Sequence, residues 1–176
     1  HHVFFHSLIV YPELAFDGDY RSAGYNMWMT TKDEFVAMLP KLQERGYVLY
    51  DLEALMQLDA DGKMTQKDIY LPPGKIPLIL SVDDVCYYDY MQSDGFAQRL
   101  TINEAGDVVT VVRDAAGNEQ ETYDGDVMPI IDQYVQAHPD FSYQGAKGVV
   151  AVTGYQGAFG YRITDLEGDE LEAAIA

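Results

Sequence analysis

The sequence predicts an α/β fold with parallel strands at its centre. Apolar runs that read as strands alternate with amphipathic stretches that read as helices, the pattern of βα units around a parallel sheet. The run Ile76-Pro-Leu-Ile-Leu-Ser-Val82 is almost wholly apolar, as a strand buried on both faces must be. A third feature, the alternating stretch from Arg99 to Tyr123, predicts a small antiparallel β-meander inserted at about residues 97–124.

Each element follows from its own residues. Val3-Phe-Phe-His-Ser-Leu-Ile-Val10 is a short apolar run with one polar break and predicts a buried first strand. Tyr11 to Met29, rich in Asp, Gly and Tyr, predicts a loop. Thr31-Lys-Asp-Glu34 fits a capping box, and Phe35, Met38, Leu39 and Leu42 then fall on one helical face. Pro40 predicts a kink in that helix, and Gly46 stands where a C-cap belongs. Tyr47 to Tyr50 reads as a short strand, with Asp51 placed to cap the turn from Leu52 to Met56.

Asp59-Ala-Asp-Gly62 reads as a plain turn. Its glycine comes too early for a calcium-binding EF-hand loop, and Tyr70 stands where the bidentate glutamate should be. Leu100 to Ile102 and Val108 to Val112 alternate like exposed strands, with turns at Glu104–Asp107 and Ala115–Asn118. Asp126 caps a helix whose inner face is Ile131, Tyr134, Val135 and His138, and Pro139 stops it. Gly148 to Thr153 predicts another buried strand, followed by a Gly- and Tyr-rich loop to Tyr161 and an acidic helix after Asp165.

Composition bounds the partners. With 29 Asp and Glu against 11 Lys and Arg, the net charge is −18, which excludes nucleic acid and an anionic membrane surface. Hydrophobic residues make up 48%, enough for one core, so residues 1–176 read as a single domain. The lone Cys86 excludes an internal disulfide framework and a cysteine zinc site. No apolar stretch reaches the ~20 residues that span a bilayer, so no membrane insertion is expected. No signal peptide precedes His1, which leaves secretion open.

In α/β folds chemistry gathers at the carboxyl ends of strands, here His6-Ser7, Asp83-Asp84 and Thr153-Gly154. Asp83-Asp84 is the sharpest feature. Adjacent carboxylates repel, and a divalent cation held by one would leave the other free as a general base. The plain alternative is a strand end with an aspartate helix cap. His2 and His6 share one face of a strand but lie ~13 Å apart, too far to share an ion. His6 and Ser7 point to opposite faces, so a Ser-His-Asp triad finds no support. Gly154-Tyr-Gln-Gly-Ala-Phe-Gly160 lacks the G-x-G that admits a pyrophosphate. A Cys86 thiolate beside two carboxylates is disfavoured. Tyr25, Trp28, Tyr87, Tyr88, Tyr90 and Tyr155 lie near the strand ends and suit sugar stacking, as they would also suit a core.

Taken together, Phe4-Phe5-His6, Tyr25-Asn-Met-Trp-Met-Thr-Thr-Lys-Asp-Glu-Phe35, Leu42-Gln-Glu-Arg-Gly-Tyr47 and Ser81-Val-Asp-Asp84 resemble polysaccharide deacetylases of the NodB-homology type, carbohydrate esterase family four. The resemblance implies a partial or distorted (β/α) barrel carrying the meander, and a metal-dependent hydrolase that removes acetyl groups from N-acetylated or O-acetylated sugars of a polysaccharide. It implies Asp83 as catalytic base and Asp84 as ligand of a divalent metal, zinc first, with cobalt or nickel as alternatives. His6, Tyr87 and Tyr155 are then the expected substrate-binding residues, and the expected location is extracellular or at the cell surface.

The sequence departs from the family's Thr-Phe-Asp-Asp-Gly at Ser81, Val82 and Val85, and no His-x-x-x-His pair follows Asp84. The expectation is therefore the N-terminal part of a larger catalytic domain, inactive by itself, with exposed strand edges that invite self-association. The alternative expectation is a non-catalytic glycan-binding relative without the histidine metal ligands.

Overall fold

The computed structural model describes residues 1–175, in a mixed α/β arrangement. Its centre is the strand β5 (Ile76–Asp83), which pairs in parallel with β1 (His2–Phe5), β2 (Tyr47–Leu49) and β9 (Val149–Ala151). Ile76 donates to Gly46 O and Tyr50 to Leu78 O, whereas Ile79 donates to His1 O. Successive strand residues turn their amides to opposite edges. So β2 and β9 lie in line along one edge of β5, and β1 lies along the other. This sheet does not close into a barrel among the described residues.

Side-chain alternation divides the sheet into two faces. Val3 and Phe5 of β1, with Leu78, Leu80 and Val82 of β5, enter the main core together with Phe35 and Leu39 of α3 (Lys32–Glu44) and Val127, Ile130 and Ile131 of α4 (Val127–Ala137). The opposite face carries His2, Pro77, Ile79, Ser81 and Asp83, and it lines a trough of about 580 Å3 rimmed by Leu52, Leu55 and Ile69. Both long helices thus pack on one side, and the other side is a largely apolar trough in which His2, Ser81 and Asp83 are the polar strand residues.

Local rules set the helix boundaries. The Thr31 hydroxyl accepts from Glu34 N at 3.2 Å, and the Thr31 amide donates to the Glu34 carboxylate at 2.9 Å, completing the expected capping box. The helix runs on through Pro40. It ends at Gly46, whose φ of +85° and whose approach to Gly74 O, 2.6 Å from where a Cβ would sit, both require glycine. At α4, Asp126 is the N-cap as expected.

Several expectations are corrected. The first strand ends at Phe5; Leu8, Ile9 and Val10 are buried but belong to the segment after it. Residues 11–29 form two short helices, α1 (Pro12–Ala15) and α2 (Ser22–Trp28), where a loop was expected. They pack through Ala15 and Tyr25 against Ile9, Met91 and Phe96 in a second small cluster. Asp59–Gly62 is the turn of a hairpin, β3 (Met56–Leu58) with β4 (Met64–Gln66), where Asp59 Oδ1 accepts from the amides of Asp61 and Lys63. The expected meander is present as β6 (Ala97–Ile102), β7 (Val108–Arg113) and β8 (Glu119–Thr122). Its middle strand is buried from Val109 to Val112, not exposed as expected; Val112 enters the main core and α4 packs against the strand. Strand β9 is an edge strand with Val150 largely exposed, not the buried strand expected. His138 is exposed and stacks at 4.5 Å on Tyr134, not on the inner face of α4. The acidic helix is present as α5 (Gly168–Ile175). No helix among the described residues is long and apolar enough to cross a membrane.

Candidate functional site

The carboxyl end of β5 brings together two of the three strand ends that the sequence singled out, and the loop after the third packs on the turn that follows them. Asp83 is the last residue of β5 and shares the trough face with Ser81, two residues earlier. The Ser81 hydroxyl donates to Asp83 Oδ1 at 3.2 Å and lies 2.9 Å from His2 Nε2 on the neighbouring strand. His2, Ser81 and Asp83 therefore form a continuous polar chain along the floor of the trough. The register pairs His2 with Ile79 and Phe4 with Ser81, so His2 and Ser81 are diagonal neighbours across β1 and β5.

Asp84 leaves the strand with a φ of +56°, a left-handed conformation that is strained for a residue with a Cβ. The Cys86 amide donates to Asp84 O at 2.6 Å and closes a three-residue turn. This reversal gives the adjacent carboxylates different partners. Asp83 rests on Ser81, whereas Asp84 Oδ2 lies 3.8 Å from His6 Nε2, just past the end of β1. His6 thus stands beside one carboxylate of the pair. Val85, which follows the carboxylate pair, is fully buried in the main core.

The Gly- and Tyr-rich loop locks the turn from Asp84 to Asp89. Phe159 donates to Val85 O at 2.8 Å, and the Arg162 guanidinium donates to Tyr87 O at 2.9 Å and pairs with Asp89 at 2.7 Å. Cys86 is buried, with its Sγ 2.9 Å from the Thr153 hydroxyl. Burial pushes this thiol up. Hydrogen bonds from the Thr153 hydroxyl and from the Gln156, Gly154 and Thr153 amides outweigh burial and leave it below its ordinary value. Burial closes the sulfur off as a nucleophile.

Of the expected substrate-binding residues, Tyr87 is misplaced. It is 1% exposed and its hydroxyl donates to the buried Asp126, so its ring belongs to the core and cannot stack on a sugar. Tyr155 is 80% exposed, with its ring 6.3 Å from Tyr88, which in turn stacks at 5.6 Å on Tyr90. His2 and Ser81 were missed as site residues. The signal was present in the two-residue spacing that puts Ser81 on one face with Asp83 and His2 on one face with His6.

No family model, curated protein or solved structure matches this chain.

As a cation site the arrangement is incomplete. Asp84 and His6 are two donors within reach of one ion, but no three His, Cys, Asp or Glu side chains converge among the described residues. A catalytic zinc takes three protein ligands.

Proposed function

We propose that the chain is part of a carbohydrate deacetylase of the NodB-homology type, with Asp83 as general base and Asp84 as metal ligand. The observation that carries this reading is the pairing of roles at the end of β5: one carboxylate is held by a serine on the open face, and its neighbour stands 3.8 Å from a histidine. Two helices packed on one sheet face, with Asp83 at the end of the other, also fit one wall of a distorted (β/α) barrel.

In this reading the Ser81 hydroxyl orients Asp83, leaving its other oxygen to take a proton from the attacking water. His6 stands 3.8 Å from Asp84, close enough for both to reach one ion. A divalent ion would polarise the acetyl carbonyl and acidify water when bound. Asp84 and His6 supply two of the donors that such an ion takes. The further donors belong to the downstream His-x-x-x-His helix that the resemblance implies.

The test is acetate release from N-acetylglucosamine oligomers by the protein as encoded, supplied with zinc, cobalt or nickel. Loss of activity in Asp83→Asn and Asp84→Asn, with folding retained, supports the reading. Wild-type activity in both variants refutes it. The exposed rings of Trp28, Tyr90 and Tyr155 favour a second reading, a glycan-binding relative without catalysis. That reading expects saccharide binding with no response to added metal.

A further inference from the structure

Ser81 is a buried hydroxyl on a largely apolar floor. It is 8% exposed, and its neighbours on the trough face include Pro77, Ile79, Val149 and Ala151. A polar group in such a setting costs stability unless its hydrogen bonds are met. Ser81 meets them through two side chains. Asp83 Oδ1, two residues on along β5, stands 3.2 Å from the hydroxyl, and His2 Nε2 stands 2.9 Å from it on β1.

Proton counting orders this chain. A serine hydroxyl has one proton to donate and lone pairs that accept. An ionised carboxylate only accepts, so the Ser81 proton points at Asp83. What remains toward His2 is a lone pair, and the 2.9 Å contact is then a hydrogen bond only when Nε2 carries the imidazole proton. The reverse arrangement, with Ser81 donating to an unprotonated Nε2, would turn the lone pairs of the hydroxyl on a carboxylate oxygen 3.2 Å away.

The sheet register holds the three groups in this order. His2 pairs with Ile79 and Phe4 with Ser81, and the side chains of His2, Ser81 and Asp83 share one face. Phe4, on the same face of β1, stands 6.4 Å from the imidazole, ring to ring. A hydroxyl free to rotate can swing its proton away from Asp83. A donor at its oxygen removes that freedom, because turning the O–H toward His2 brings two protons together. His2 thus acts on Asp83 through Ser81.

We propose that His2 is a positioning residue, which as the Nε2–H tautomer commits the Ser81 proton to Asp83 and so fixes which carboxylate oxygen is left free. The tautomer follows from the three groups themselves. The effect on rate rests on the deacetylase reading, in which Asp83 is the general base. A histidine that only filled the edge of the trough would need no particular tautomer, and any ring of similar size would replace it.

The ring nitrogens of His2 are read by nitrogen NMR at about pH 8, where an ordinary imidazole is neutral. The expected spectrum shows a single tautomer with the proton on Nε2, and Ser81→Ala turns it into a mixture of both. A proton on Nδ1 in the wild type, or a spectrum unchanged in Ser81→Ala, overturns the proposal. In acetate release from N-acetylglucosamine oligomers with added zinc, His2→Phe is expected to lower kcat roughly tenfold with KM little changed. That loss is expected to vanish when Ser81 is already alanine. His2→Gln, whose amide takes the place of Nε2–H, is expected to restore the rate, and His2→Asn, which replaces Nδ1, is not. A wild-type rate in His2→Phe, or an equal loss on top of Ser81→Ala, overturns the positioning role. If the wild type releases no acetate, the deacetylase reading fails, and the spectrum alone decides the tautomer.

Discussion

Tyr87 donates its hydroxyl proton to Asp126 Oδ2 at 2.5 Å, joining two fully buried groups that are 39 residues apart. The other oxygen of Asp126 accepts from Leu8 N at 3.2 Å and Val127 N at 2.7 Å. One carboxylate thus ties the segment after β1, the turn after β5 and the start of α4 into a single unit behind the candidate site. Replacing Asp126 by Ala leaves three buried donors without a partner and is expected to remove about 3 kcal/mol or more of stability in urea denaturation. Asp126→Asn, which keeps an acceptor for the amides, is expected to lose less.

The same residue sets a pH dependence. Burial raises the Asp126 carboxyl to about 6 from 3.8, against the hydrogen bonds from Tyr87, Val127 and Leu8. A folded-state value above the unfolded one means that the native state binds the proton more tightly. The resulting stabilisation is complete below about pH 4 and is lost as pH rises through about 6. The stability of wild type relative to Asp126→Asn is therefore expected to fall across that window and to level off above it, measured by denaturation at fixed ionic strength.

Gly24 gives a prediction of opposite sign. Nothing in the folded chain opposes a methyl group there, so Gly24→Ala is expected to raise stability by about 1 kcal/mol through helix propensity alone. Thermal denaturation of the variant beside the wild type checks this as a rise in Tm.

At the other end of the same region, Thr31→Ala removes the hydroxyl that accepts from Glu34 N and donates to the Glu34 carboxylate, while the Thr31 amide keeps its bond to that carboxylate. The expected loss is about 1 kcal/mol. Glu34→Gln is expected to retain most of the cap, which separates the box geometry from the charge.

The elements that were legible in the sequence are those whose signal is local. The capping box at Thr31 and Glu34 works through residues three apart, and β5 announces itself because a strand buried along its length needs an unbroken apolar run. The β3–β4 hairpin was hidden because strands of three residues are too short to show a period. Helices α1 and α2 were hidden because Asp, Gly and Tyr mark turns, while Ala15 and Tyr25 are held by tertiary packing against Phe96 and Met91. At the site, Asp83, Asp84 and His6 were legible as strand ends. Tyr87 was misread because a tyrosine near a strand end serves a core or a surface equally well, and only the position of Asp126 decides between them.

Ser81 links His2 to Asp83, so Ser81→Ala frees the carboxylate to rotate without touching Asp84. A roughly tenfold fall in kcat for acetate release is expected, the equivalent of one lost hydrogen bond, with KM little changed. Rescue by Ser81→Thr would assign the effect to the hydroxyl.

The measurement that bears most directly on Asp83 and Asp84 is metal-supplemented acetate release from N-acetylglucosamine oligomers, comparing the encoded protein with Asp83→Asn at matched folding. As general base, Asp83 is expected to account for a fall of about 100-fold or more in kcat. Unchanged kcat in Asp83→Asn, or no acetate from the wild type with zinc, cobalt or nickel, would contradict a deacetylase built on this carboxylate pair.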